Sequence, residues 1–394
     1  MEPLSIPEAL ARVLARALPL PAERVPLAAA GGRVLAEDVT AAVDLPPFAS
    51  SAMDGYALRS EDTPGSLPVV FRIAAGVPAE HPLSPGEAMA ISTGGAVPDG
   101  ADAVIQVESV VERDNKLQVP APVGSGTNVR PAGGDVRAGA PLLAAGTVLG
   151  AAQVGALAAA GVADVAVARR PRVVVLSTGT ELRAPGERLG PGQIYESNGP
   201  MLAAAFAAAG AEVERIGPVP DDEASHREAL GRGLEADVLV SSGGVSVGPH
   251  DFVRRILAEL GVEEDFWGVR VRPGKPLAFG KRGGTLVFGL PGNPVSSLVA
   301  VELFVRPALR ALQGADPGPA WESARLAAPL RRNPARDEIV RARTRRDAAG
   351  TVLEPVAGQE SHMIARAAAA DALVLVEAGD GELGAGAPAR YLRL

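Results

Sequence analysis

The sequence predicts a multidomain protein of α/β plus β class: a central α/β domain, a helical N-terminal domain with an inserted β module, and a small C-terminal β domain. Three observations carry this reading. From Arg172 to about residue 311, apolar runs alternate with helical spacing in a β-α-β-α order. From Ala41 to about Arg130 the chain is Pro- and Gly-rich, with short alternating runs. After the Pro-rich stretch Asp316–Pro319, short strands and turns return. A chain of 394 residues has room for roughly two to four domains with sizeable cores.

In chain order, Ser5-Ile6-Pro7-Glu8 is a capping-box pattern. It opens a helix through Leu10, Val13, Leu14 and Leu18, which Pro19 and Pro21 end. Val69–Ile73 and Ala103–Val107 read as strands of the β module. Leu142–Val167 resumes helical spacing and ends near Gly161. The expected domains are therefore 1–40 with 131–170 as a helical linker, 41–130 as the mostly-β insertion, 171–315 as the α/β domain and 316–394 as the C-terminal β domain. Within the α/β domain, strands are expected at 173–176, 212–216, 237–241, 267–271 and 285–289, and helices at 199–209, 223–234, 251–260 and 295–311. In the last domain Glu338–Arg343 and Leu373–Val376 read as strands.

The net charge of −8 argues against a general nucleic-acid binder. No apolar run reaches the roughly 18 residues of a membrane span, and the first residues carry Glu2, Glu8, Arg12 and Arg16 at helical spacing, unlike a signal peptide. A cytoplasmic enzyme is the expectation. With Cys 0, disulfides, thiolate metal sites and cysteine nucleophiles are excluded. The 4 His (His81, His226, His250 and His362) lack metal-ligand spacing.

The chemistry-bearing signal lies in strand-to-helix turns. Gly289-Leu290-Pro291-Gly292-Asn293-Pro294-Val295-Ser296-Ser297 follows a buried-strand run. Its Asn293 suits an N-cap and its Pro294 a first helical residue, and the N–H groups of such a helix start favour an anion. Ser241-Ser242-Gly243-Gly244-Val245-Ser246-Val247-Gly248 and Ser177-Thr178-Gly179-Thr180-Glu181 repeat the arrangement after other apolar runs. Three such turns predict a phosphate-bearing ligand at the carboxyl edge of a parallel sheet. Glu181, Asp251 and the pair Asp221-Asp222 lie at strand ends or helix starts. Each suits either a cap or the organisation of magnesium and phosphate. Val271-Arg272-Pro273-Gly274-Lys275-Pro276 holds one of only three lysines (Lys116, Lys275 and Lys281) and reads either as a surface turn or as an anion clamp. Asp54 beside Gly55, Thr93 before Gly94-Gly95, and Asp135 after Gly133-Gly134 read as turns.

Taken together, Ser51-Ala52-Met53-Asp54-Gly55-Tyr56-Ala57, Ser177-Thr178-Gly179 with Glu181-Leu182, Ser241–Gly248, Pro273-Gly274-Lys275-Pro276 and Gly289–Ser296 resemble the molybdopterin molybdenumtransferase family, to which the E domain of gephyrin also belongs. The resemblance runs over nearly the whole chain. It implies an elongated homodimer of four-domain subunits, with a central α/β domain like that of molybdopterin adenylyltransferase and a cleft completed by the β module of the second subunit. It implies that adenylated molybdopterin and molybdate are the substrates, that molybdenum cofactor and AMP are the products, and that Mg²⁺ assists. Transient contact with other cofactor-biosynthesis proteins fits the same picture.

By motif position the resemblance marks Asp54, Thr93, Asp135, Glu181, Asp221, Asp251 and Lys275 as catalytic, with Asp221 chosen over Asp222. It marks Ser177, Thr178, Gly179, Ser242, Gly243, Gly244, Ser246, Arg272, Pro291, Gly292, Asn293, Pro294 and Ser297 as substrate-binding. Arg341 and Ser361 stand as candidate molybdate contacts, and Glu181 and Asp251 as the metal ligands. The chain departs from the family pattern at Ala49-Ser50, where an Asp-Asn pair often stands, and at Arg272, where many members have Lys. Two other readings use the same residues: the adenylyltransferase step itself, and a non-catalytic scaffold.

Overall fold

The computed structural model describes residues 2–243 and 252–394. The chain forms two compact units, Met1–Glu23 with Gly32–Ala36 and Val167–Leu394, and Arg24–Gly31 with Glu37–Ala166.

The first unit is built around a six-stranded sheet. Its strands are β1 (Arg172–Thr178), β2 (Glu212–Val219), β3 (Val238–Ser242), β4 (Glu263–Trp267), β5 (Ala278–Arg282) and β6 (Thr285–Leu290), in the spatial order β2-β1-β3-β6-β5-β4. The four strands from β2 to β6 in that order are parallel, and β5 and β4 add an antiparallel edge. Helices α1 (Asn198–Ala208), α2 (Glu223–Gly233) and α3 (Phe252–Glu259) connect β1 to β2, β2 to β3 and β3 to β4, and α4 (Pro294–Ala300) follows β6. The two-residue period of the strands explains the layering. Val173, Val175, Val238, Val240 and Phe288 face α1 and the helices after β6, whereas Val174, Leu176, Leu239 and Val287 face α2 and α3. Both faces are apolar because both are covered.

One expected strand is displaced. In place of 267–271 the chain forms β4 and the short strand Val271–Arg272, separated by Gly268 at a φ of +93°. That φ is unfavourable for any other residue and breaks the run. The antiparallel strand β5 lay outside the expected set, because its apolar stretch is only three residues long before Lys281 and Arg282. The expected helix 295–311 forms as α4, a π-turn at Val301–Val305, and α5 (Arg306–Leu312). Pro307 has no N–H to continue the ladder, and Arg306 N–H reaches back to Val301. The N-terminal helix Ile6–Arg16 carries the full capping box and buries Ile6, Ala9 and Val13 in the core of this unit.

The C-terminal segment is a closed barrel. Glu322–Leu326, Asp337–Asp347, Gly350–Pro355, Ala372–Val376 and Pro388–Arg393 pair in a ring that leaves no open edge. Val271–Arg272 joins its outside, parallel to Asp337–Glu338.

The second unit is β-rich. Its six-stranded sheet runs Ala103–Gln106, Gly55–Leu58, Ala88–Ile91, Gly65–Ile73, Lys116–Val119 and Val111–Arg113. Gly55 is fixed by packing, since a Cβ there would lie 2.0 Å from the Ile105 carbonyl oxygen. Within Leu142–Val167 the helix is Ala151–Ala159, preceded by the strand Pro141–Leu143. The glycines at 146 and 150 delay its start.

Candidate active site

At the carboxyl ends of β1, β3 and β6 lies a cavity of about 890 Å³. Its wall includes Ser177, Thr178, Gly179 and Glu181 from the first turn, Ser242 and Gly243 from the second, and Gly292, Asn293 and Pro294 from the third. The three Gly-containing turns thus converge, as the topology of a parallel sheet requires of strands whose ends point the same way. Gly179 adopts a φ of +144°, and a Cβ there would lie 2.5 Å from a Glu181 carboxylate oxygen, so the turn depends on glycine to admit that side chain.

The structure gives the two neighbouring aspartates different partners. Asp222 is the N-cap of α2 and accepts from Ser225 N at 2.8 Å and Ser225 Oγ at 2.7 Å. Those bonds hold its carboxyl below the ordinary aspartate range. Asp221 lines the cavity and accepts from the backbone N–H and hydroxyl of Thr180, both at 3.1 Å.

The third turn is held from several sides. Asn293 occupies the N-cap position, yet its side chain does not cap; Nδ2 donates to Ser361 Oγ at 2.9 Å. Val295 N–H donates to the Ser361 carbonyl at 3.1 Å. The helix-start donors expected to face an anion are thus partly used by the chain itself: Pro294 has none, and Ser361 takes that of Val295. Ser297, expected in substrate binding, is fully buried and donates to the Pro291 carbonyl at 2.5 Å. Both Ser297 and Pro291 shape the turn from behind.

Arg341 departs most from its expected place. It is 1% exposed, and its guanidinium donates to Gln359 Oε1 and to the carbonyls of Gly358, Glu360 and Met363. Burial pulls its pKa below the ordinary arginine value, opposed by Glu360. Its donors hold the 358–363 loop. Ser361 and His362 ride on that loop, and His362 reaches the cavity wall.

The Arg272 guanidinium is engaged by a carboxylate of the chain itself. Arg272 pairs with Glu338 at 3.0 Å, because Val271–Arg272 lies alongside the barrel strand carrying that acid. Lys275 is exposed outside the cavity wall, on a turn that abuts α4: a Cβ at Gly274 would lie 3.6 Å from the Ser296 carbonyl oxygen. Gly244, Ser246 and Asp251 lie outside the described residues.

In the second unit, Asp54 accepts from Thr93 N at 2.7 Å and Thr93 Oγ1 at 3.1 Å. The backbone bond, then the hydroxyl, hold Asp54 below the ordinary carboxylate range. Asp135 N–H donates to the Leu45 carbonyl at 2.9 Å.

Several lining residues escaped the sequence reading: Ile194, Tyr195, Glu196, Asn198, His226 and His362. Ser197-Asn198 before Gly199-Pro200 carries a helix-start signal, but nothing local distinguishes a cavity-facing asparagine from an ordinary cap.

Residues 4–161 match the family described as MoeA N-terminal region (domain I and II), residues 174–311 the probable molybdopterin binding domain, and residues 323–394 the MoeA C-terminal region (domain IV). The chain is 42% identical over 322 residues to molybdopterin molybdenumtransferase 2 of Mycobacterium tuberculosis, covering 78% of this chain and 79% of that one. It is 31% identical over 386 residues to the Staphylococcus aureus molybdopterin molybdenumtransferase, covering 96% and 92%. A solved molybdopterin biosynthesis MoeA protein from Pyrococcus horikoshii OT3 superposes with a TM-score of 0.87 at 29% identity, each chain covered over 100%. The converging turns, the closed C-terminal barrel and these likenesses over nearly the full length agree: the chain belongs to the MoeA family of molybdopterin molybdenumtransferases.

Proposed function

We propose that the protein inserts molybdate into adenylated molybdopterin, yielding molybdenum cofactor and AMP. The observation that carries this reading is the shared cavity, in which three glycine-containing strand ends meet Glu181 and Asp221. The reaction exchanges molybdate oxo ligands for the two dithiolene sulfurs and breaks the phosphoanhydride, which makes the overall step favourable. No protein nucleophile is required, in keeping with a chain that has Cys 0. What this chain contributes is placement. The 177–180 and 292–294 turns receive the phosphates. Asp221 holds the 179–181 turn through Thr180, and Glu181 stands at the same wall.

Mg²⁺ fits this donor set. The ion takes one or two carboxylates and completes its octahedron with water and phosphate oxygens. Glu181 supplies one such carboxylate at the cavity wall, and Asp251, the second expected ligand, lies outside the described residues. Bound there, the ion supplies charge neutralisation at the anhydride.

Lys275 concentrates molybdate at the mouth of the site, and Asp54, Thr93 and Asp135 act from the β unit. The protein works as a homodimer in the cytoplasm; the exposed Phe48 and Met53 near Asp54 support a covered surface there. The same reading keeps the four-part division of the chain at 40, 130, 170 and 315; compactness alone joins the 41–130 insertion with residues 131–166 in one body and groups Met1–Glu23 with the α/β segment.

The test is incubation with adenylated molybdopterin, Mg²⁺ and molybdate, following AMP. Release that depends on molybdate supports insertion, whereas adenylation from ATP without it would favour the adenylyltransferase. Lys275→Ala is expected to raise the molybdate concentration for half-maximal rate by roughly tenfold, the loss of one charged contact. An unchanged requirement removes Lys275 from the mechanism.

A further inference from the structure

The cavity floor at the start of α1 carries two oxygen acceptors that the phosphate-binding turns do not explain. Glu196 and Asn198 both line the cavity, each only 8% exposed. Glu196 Oε1 accepts from Gly199 N at 2.6 Å. Among the described residues no other donor reaches the carboxylate, and no cation pairs with it. Gly199 lets the carboxylate fold back, since a Cβ there would lie 2.6 Å from Oε2.

Asn198 Nδ2 donates to Ser242 Oγ and to the Gly292 carbonyl, both at 2.7 Å. A carbonyl only accepts, so Gly292 fixes which side of the amide carries the NH₂. Asn198 Oδ1 is then left buried with no donor. A buried acceptor without a partner is costly, and native structures keep few of them.

A phosphate cannot supply what these atoms lack, because an anion beside the Glu196 carboxylate adds repulsion. Adenine is a poor match as well, since its edge sets an amino donor beside a ring acceptor. An aminopyrimidinone ring presents a ring N–H next to an exocyclic NH₂, two donors that match a carboxylate in plane. We infer that Glu196, with Asn198 beside it, is the recognition point for the aminopyrimidinone edge of the pterin, a role that rests on the molybdopterin reading above. The substrate is thereby oriented, with its pterin head at the start of α1 and its phosphates toward the 177–180 and 292–294 turns.

The test compares pterin with lumazine, in which a carbonyl replaces the 2-amino group, as fluorescent ligands and as competitors of AMP release. Wild-type protein is expected to prefer pterin by roughly 10- to 100-fold, the range for one hydrogen bond to a charged group. Glu196→Gln keeps an oxygen for Gly199 but loses the charge. It is expected to abolish that preference and raise KM for adenylated molybdopterin by the same factor, leaving kcat, melting temperature and inhibition by AMP near wild type. Equal binding of pterin and lumazine by wild-type protein, or a preference that survives in Glu196→Gln, overturns the proposal. If wild-type protein discriminates between the two rings yet releases no AMP, ring recognition stands and molybdenum insertion fails.

Discussion

Asp221 and Asp222 are adjacent in the chain and do different work. Asp222 caps α2, so Asp222→Ala should cost about 1 kcal/mol of stability in urea denaturation and leave the AMP-release rate close to wild type. Asp221→Ala should show the reverse: an unchanged midpoint and a rate reduced roughly 100-fold, the scale on which misplaced groups cost activity. Identical profiles for the two variants would remove the distinction. Asp54 offers a pH test. Its folded pKa is lowered by the Thr93 N–H and hydroxyl. The Asp54–Thr93 link is therefore fully present above the ordinary aspartate range and is lost only as pH falls through the lowered value. A carboxyl NMR titration should place the Asp54 midpoint below the ordinary 3.8, and Thr93→Ala should bring it back toward that value. A midpoint at or above 3.8 in the unmodified protein refutes the assignment.

At the scale of elements, the 358–363 loop owes its shape to one buried side chain. Arg341 satisfies three of its carbonyls and Gln359, and the loop in turn holds the first turn of α4 through Ser361. Removing the guanidinium leaves several buried acceptors unpaired, so Arg341→Met should cost roughly 3 kcal/mol. Limited proteolysis should cut the loop faster in that variant, and KM should rise with it. An uncut loop with a raised KM would instead indicate direct substrate contact by Arg341. The α2–α3 pair shows the opposite style of support. Glu223, Arg227, Arg255 and Glu259 form a solvent-exposed ion network in which each pair contributes little.

Across the whole molecule, the two compact units have separate cores, and large multi-unit chains commonly unfold in more than one step. The chain supplies its own probe: its 2 Trp, Trp267 and Trp321, both lie in the unit that contains the cavity. Tryptophan fluorescence should therefore report that unit alone, while far-UV circular dichroism reports both. Denaturation midpoints by the two signals are expected to differ, with AMP shifting the fluorescence midpoint upward. Coincident midpoints would make the molecule one cooperative body.

Some features were fixed locally and could be read directly. The capping box at Ser5–Glu8, the four parallel strands, the helices between them and the turn glycines follow from nearest-neighbour sterics and from apolar periodicity. The convergence of the three turns followed as well, because parallel strands all end on one side. Side-chain duty was not legible. Arg272 meets Glu338 across 66 positions of sequence, and Arg341 meets a loop that begins 17 residues later. Asn198 bonds to Gly292 across 94 positions. No local pattern encodes such meetings. Local pattern was enough for the four parallel strands and the edge of the sheet that is chemically equipped, but not for the antiparallel strand Ala278–Arg282 or the π-turn at Val301–Val305. Which polar groups neutralise each other and which remain turned toward a ligand follows from the folded packing, because a charge is assigned by its nearest partner in space, and the fold alone brings distant residues within hydrogen-bonding range.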